Sequence, residues 1–118
     1  MSQRNKNTRS FGRKTGQRKA LVKSLIRSLI LEERISTTEA KAKEIRPMIE
    51  KLVTRARTDS VANRRIVSSR IGDAGAVKKL FTTIAPRFTG VTGGYVRIVK
   101  RPVKATTGRK EAYIAFVK

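Results

Sequence analysis

Apart from Met1 and Phe11, no large apolar side chain occurs before Leu21. Residues 1–18 hold six cations and no anion. So little apolar surface cannot offset the entropy of ordering that stretch, which reads as a basic arm, disordered when free. Any core must be built from Lys19 onward. The 100 residues from 19 to 118 suit a single domain that can bury a usable core without staples.

Charge is the second constraint. The chain carries 29 Lys and Arg against eight Asp and Glu, a net +21, and no acid precedes Glu32. Small soluble domains are comfortable at a magnitude of about 2–8. A compact fold with this excess repels itself, so a polyanionic partner is the economical explanation. Cys and His are both absent. No disulfide can form, which fits a reducing compartment. Thiolate and imidazole ligands, Cys–His or Ser–His nucleophiles and the commonest general base are missing too. No enzyme, metal or cofactor is therefore expected. The longest run of large apolar residues, Leu29–Ile30–Leu31, is far short of the ~20 that span a bilayer.

Along the chain, Leu21, Leu25 and Leu29 recur every four residues beside Val22, Ile26 and Ile30, the helical period. Lys19, Lys23 and Arg27 share that spacing about 200° round the helix, as a stripe suited to phosphates. After Glu32–Glu33, "RIST" predicts a short strand centred on Ile35. Ser36 and Glu39 then have the spacing of a capping box. Ile45, Met48, Ile49, Leu52, Val53 and Ala56 mark a second helix, kinked at Pro47. Asp59 or Ser60 caps a third helix, which Gly72 ends. Asp73 caps a fourth, with Val77, Leu80, Phe81, Ile84 and Ala85 on its buried side until Pro86 stops it.

The period then becomes two. "YVRIVKR" and "EAYIAFVK" alternate, with Val96 and Ile98 on one face and Tyr95 and Arg97 on the other. Ala112, Ile114 and Phe116 share a face opposite Tyr113 and Ala115. With "PVKATTGRK" between them they read as a hairpin, Ile35's segment adding a third strand. The fold class expected is α/β of the α+β type, in two layers. Its order is helix, strand, three helices and two strands, a small mostly antiparallel or mixed sheet packing on helices.

Lys and Arg on every element read as phosphate contacts. Tyr95 and Tyr113 would stack on unpaired bases if they point outward, and are sheet residues if they do not. "FTGVTGGY" lacks the GxxxxGK[ST] pattern, so it reads as a Gly-rich turn. Glu39, Asp59 and Asp73 fall at helix starts, where negative charge is favoured, and form no catalytic pair. A helix-turn-helix DNA binder across Val61–Ala85 is the alternative, weakened by charge spread over the whole molecule. A membrane-surface binder would need an exposed leucine and aromatic face, whereas these leucines are needed for a core.

"ISTTEAKAKEIRPMIEKLVTRAR" (Ile35–Arg57) resembles the signature of the bacterial large-subunit ribosomal protein seventeen family. "TDSVANRR", "KLF", "PRF", "GGYVRI" and "AYI" follow in that family's order, and "FGRKTGQRKAL" precedes it. The resemblance covers the chain from Phe11 onward, which argues against a cleaved leader reaching past that point and leaves Met1 to Ser10 open to the reading as a plain tail. It implies a small α/β domain and a non-catalytic, cytoplasmic role in the ribosome. There the protein would bind and order large-subunit rRNA near the rim of the polypeptide exit tunnel. It would do so as a monomer beside other ribosomal proteins, with no membrane and no small-molecule substrate. The expected RNA contacts are Arg4, Lys6, Arg9, Arg13, Lys14, Arg18, Lys19 and Lys23, with a second group of Arg64, Arg65, Arg87, Tyr95, Arg97 and Lys100. Three departures stand out: "MSQRNKNTRS" at the start, Gln17 where the family usually has His, and Val91–Thr92 before the double Gly, where it normally includes an Arg.

Overall fold

A computed structural model describes residues 15–101 and 110–118. The expected element order is found: α1 (Thr15–Glu32), β1 (Arg34–Thr38), α2 (Glu39–Ala56), α3 (Val61–Ile71), α4 (Ala74–Lys79), β2 (Val96–Lys100) and β3 (Glu111–Phe116). Helix α1 starts at Thr15, so the four residues Thr15–Arg18, placed in the arm by composition, form its first turn.

The three strands form an antiparallel sheet in the order β1-β3-β2. The last strand is thus the central one, with Ile35 opposite Ile114 and Ile114 opposite Ile98. Period-two alternation sends Ala112, Ile114, Phe116 and Val96 to the buried face, which packs on α2. Helix α2 supplies Ile45, Ile49, Leu52 and Val53, and α1 supplies Ile26, Leu29 and Ile30. Val67 and Ile71 of α3 close the same core. No polar or charged residue is buried among the described ones, so every described cation keeps access to solvent.

Local expectations are refined in four places. The cap of α2 is Thr38, whose Oγ1 accepts from the Lys41 N–H at 3.3 Å; Ser36 does not cap it. The cause is nonlocal: β1 stays paired with β3 as far as Thr38 opposite Glu111. Of the two candidates for α3, Ser60 is the cap, accepting from the Asn63 N–H. Helix α2 runs unbroken through exposed Pro47. Pro86 does not end the fourth helix; α4 widens into a π-turn over Leu80–Ile84 and tightens into a 3-10 turn over Ala85–Phe88. In α geometry the Pro86 ring would strike the carbonyl of Thr82, and the wider turn relieves that clash. The stripe predicted from Val77 to Ala85 is nonetheless buried throughout.

Gly72 ends α3 in the left-handed region at φ 72°, as its position predicts, and its N–H donates to the Ser68 carbonyl. Asp73 accepts from the Gly75 N–H and caps α4.

Candidate nucleic-acid interface

The acids hold part of the cationic surface within the fold. Glu33 follows α1 with a left-handed backbone at φ 67°. Its carboxylate receives both arms of the Arg87 guanidinium, at 2.5 and 3.1 Å, and the Lys79 ammonium at 3.1 Å. Arg87 also donates to the Lys118 carbonyl, and Lys79 to the Leu31 carbonyl. The Arg87 hydrogen bonds, then those of Lys79, outweigh desolvation and bring the Glu33 carboxyl from 4.5 down to about 2. Because the folded value lies below the ordinary one, this stabilisation is complete above about pH 4.5 and lost as pH falls through about 2. Glu33→Gln should therefore flatten the fall in stability across that window, as measured by urea unfolding at stepped pH.

Glu50 serves the fold differently. Its Oε1 accepts from the N–H groups of Gly94 and Tyr95, at 3.0 and 3.3 Å, and its Oε2 from that of Val96 at 3.2 Å. This carboxylate fastens the start of β2 to α2. Asp59 takes a two-pronged contact from Arg64 at 2.6 and 2.9 Å, which lowers the Asp59 pKa and raises that of Arg64. Glu39 pairs with Lys43 at 2.9 Å and more loosely with Lys100 at 3.6 Å. With Asp73 at its cap, Glu33, Glu39, Glu50, Asp59 and Asp73 all have partners within the fold.

Cations from three helices also converge. Helices α1, α2 and α3 enclose a groove of about 720 Å³ whose rim carries Arg18, Lys19, Lys23, Lys51 and Arg70. Val22, Ile26, Met48 and Leu52 give it an apolar lining, and Glu44 is the one acid there. Lys51, Leu52 and Arg70 also border an adjoining hollow of about 650 Å³ that continues past Arg55 and Asn63 to Thr92 and Gly93. The Lys23 ammonium lies within 4 Å of where a Cβ on Gly72 would stand, at the C-terminal end of α3, where cations are favoured. The groove offers several ammonium and guanidinium groups around an apolar lining, a surface suited to a phosphodiester backbone.

Among the residues expected from sequence, Arg18, Lys19 and Lys23 fall in this groove. Lys51, Arg55 and Arg70 were missed. Arg70 sits on α3, apart from Lys51 and Arg55 on α2, and their only local signal is the Lys51–Arg55 spacing on the side of α2 away from its buried stripe. Arg4, Lys6, Arg9, Arg13 and Lys14 lie outside the described residues.

The second expected group is not brought together. Arg64 and Arg65 line a separate hollow with Ser68 and Lys78 between α3 and α4, and Arg64 is already tied to Asp59 and lies 4.8 Å over the Phe81 ring. Arg87 is occupied by Glu33. Arg97 and Lys100 are both exposed but, three residues apart on one strand, point to opposite faces. Tyr95 is a correction to the outward-facing alternative. It is fully buried, edge-on to Phe88 at 5.1 Å, with its hydroxyl bonded to Thr54, Arg57 and the Val91 carbonyl. Its ring is unavailable for stacking on a base. Strand β2 begins only at Val96 and Gly94 turns left-handed at φ 70°, so the strand's alternation does not reach back to position 95.

The helix-turn-helix alternative also fails on geometry. Helix α4 has six residues, two of them buried, and passes directly into a π-turn whose Leu80, Phe81 and Ile84 are buried, so it does not stand out as a regular recognition helix. Among the described residues no group of acids could hold a metal ion, and no helix is long and apolar enough to cross a membrane.

Residues 21–117 match the family model described as Ribosomal protein L17. The chain is 50% identical over 109 residues to the large ribosomal subunit protein bL17 of Thermomicrobium roseum, covering 92% of this chain and 93% of that one. The bL17 protein of Hydrogenobaculum sp. is 49% identical over 108 residues, covering 91% and 92% respectively. That of Thermodesulfovibrio yellowstonii is 45% identical over 109 residues, covering 92% and 82%.

Proposed function

The chain belongs to the bacterial ribosomal protein L17 family, whose members are non-catalytic components of the large ribosomal subunit, and from that premise we propose that it binds and orders large-subunit rRNA through its basic arm and the groove between α1, α2 and α3. The ribosome places its work in the bacterial cytoplasm. The groove carries this reading: five cations from three helices meet there, while the acids elsewhere are spent on caps and clamps. Lys19 and Lys23 sit one turn apart on α1, so a phosphodiester strand lying along that helix meets both. Arg4, Lys6, Arg9, Arg13 and Lys14 extend the same cationic run toward the N-terminus.

The protein then acts by charge neutralisation. It brings RNA segments that repel one another to a common scaffold and releases their condensed counterions. On this reading it works as a monomer near the rim of the polypeptide exit tunnel, among other large-subunit proteins, which is what the resemblance of its motifs implies. Gradient sedimentation of a bacterial extract expressing the tagged chain tests the assignment. The chain should run with the large subunit at about one copy per particle. Recovery at the top of the gradient, or with DNA after nuclease treatment of the RNA, would sink it.

A further inference from the structure

The sheet has a second face. Helix α2 packs against the side bearing Ile114 and Phe116, and the register fixes what the other side carries. One cross-strand row is Arg34, Ala115 and Arg97; the next is Ser36, Tyr113 and Val99. Arg34, Ser36 and Arg97 are exposed, and Tyr113 is half-buried. The Arg34 guanidinium lies over the Tyr113 ring, 4.0 Å from its centroid. Arg101 reaches the same face and donates to Ser36 Oγ at 3.4 Å. Glu111, opposite Thr38 at the far end of β3, is the one carboxylate among the described residues of this face.

We propose that this outer sheet face binds an unpaired RNA nucleotide, its base stacked on the Arg34 guanidinium above Tyr113 and its backbone held by Arg97 and Arg101. The inference rests on the RNA reading above but concerns a different surface and a different form of RNA. Adjacent strands stand about 4.8 Å apart, so Arg34 and Arg97 flank small Ala115 at a separation of about 10 Å. That leaves a shallow floor between two cations. A guanidinium is planar, weakly hydrated and able to stack on both sides, which a lysine ammonium is not. The Tyr113 ring holds that plane on one side, leaving the other for a base. Bases in a duplex are already stacked on their neighbours, whereas a base in a single-stranded loop is free to take this position. An acidic peptide would satisfy the arginines without using the stacked plane.

The test uses the full chain and two fluorescently labelled RNAs of equal length, an oligouridylate and a blunt duplex, followed by anisotropy. Arg34→Lys keeps the charge and removes the plane. It should weaken oligouridylate binding by about 5- to 150-fold, the range for loss of one base–side-chain stack, and change duplex binding less than twofold. Tyr113→Leu keeps an apolar body under the arginine and should weaken oligouridylate binding in the same direction. Equal loss on both RNAs, or oligouridylate binding unchanged in Arg34→Lys, would reduce this face to bulk charge and overturn the inference, leaving the groove reading intact. If poly-aspartate displaced oligouridylate from the parent and from Arg34→Lys equally well, an acidic protein would be the better occupant. A parent chain that binds neither RNA would sink the RNA reading itself.

Discussion

Replacing Tyr95 with alanine is expected to destabilise the fold by about 3–5 kcal/mol, the range for removing a buried aromatic ring. The ring has no exposed surface and packs edge-on against Phe88, which in turn meets Phe116 at 6.3 Å. Its hydroxyl lies 3.0 Å from Thr54 Oγ1, accepts from Arg57 at 3.0 Å and donates to the Val91 carbonyl at 3.3 Å. Its own N–H is held by Glu50. One side chain thus joins α2, the 3-10 turn and the loop before β2. A domain of this size has only about 5–15 kcal/mol to lose, so a large share of the molecules should unfold near physiological temperature. Tyr95→Phe keeps the ring and gives up only hydroxyl bonds at the margin of the core, at a cost of about 1 kcal/mol. Urea unfolding of both variants measures the difference. The phenylalanine variant, assayed below its melting range, should bind RNA within twofold of the parent. A tenfold loss there would show that the hydroxyl contacts RNA after all.

The second large effect is electrostatic. Removing residues 1–14 takes away Arg4, Lys6, Arg9, Arg13 and Lys14 and stops short of α1. Among the described residues the buried core begins at Ile26, so the urea midpoint should hardly move. RNA binding should change greatly. Each phosphate contact contributes about 0.7–0.9 to the slope of log affinity against log salt, so losing five should flatten it by about 3.5–4.5. At low salt the same loss should weaken affinity by several orders of magnitude, because each contact also contributes to binding itself. If the arm were merely solvated, the truncated and full chains would titrate alike.

Much of the architecture was legible in the sequence wherever one period governs one element. The leucine spacing of α1, the alternation of β2 and β3 and the end of α3 at Gly72 are all set by neighbouring residues. The features that were not legible depend on distant partners. Thr38 caps α2 because β3, from the far end of the chain, holds β1 extended up to it. Arg87 looked like a phosphate contact, but its carboxylate partner Glu33 is 54 positions away. Glu50 gave no sign that it would collect three backbone N–H groups from the loop before β2. The candidate site divides in the same way. Lys19 and Lys23 declare themselves as a stripe on one helix, whereas Lys51 and Arg70 join them only once three helices have packed. The two tyrosines are the sharpest case. Tyr113 follows strand alternation and faces outward, while a left-handed glycine before Tyr95 sends its ring into the core.

The central claim is that this chain holds large-subunit rRNA by phosphate contacts from the arm and the helix groove. The most direct test is the affinity of the full chain for a large-subunit rRNA fragment, measured over a series of salt concentrations. With five cations from the arm and five around the groove engaged, log affinity should fall linearly against log salt with a slope of about −7 to −9. The same titration without residues 1–14 should be shallower by about half. A slope near zero for the full chain, or one that the truncation leaves unchanged, would contradict the account.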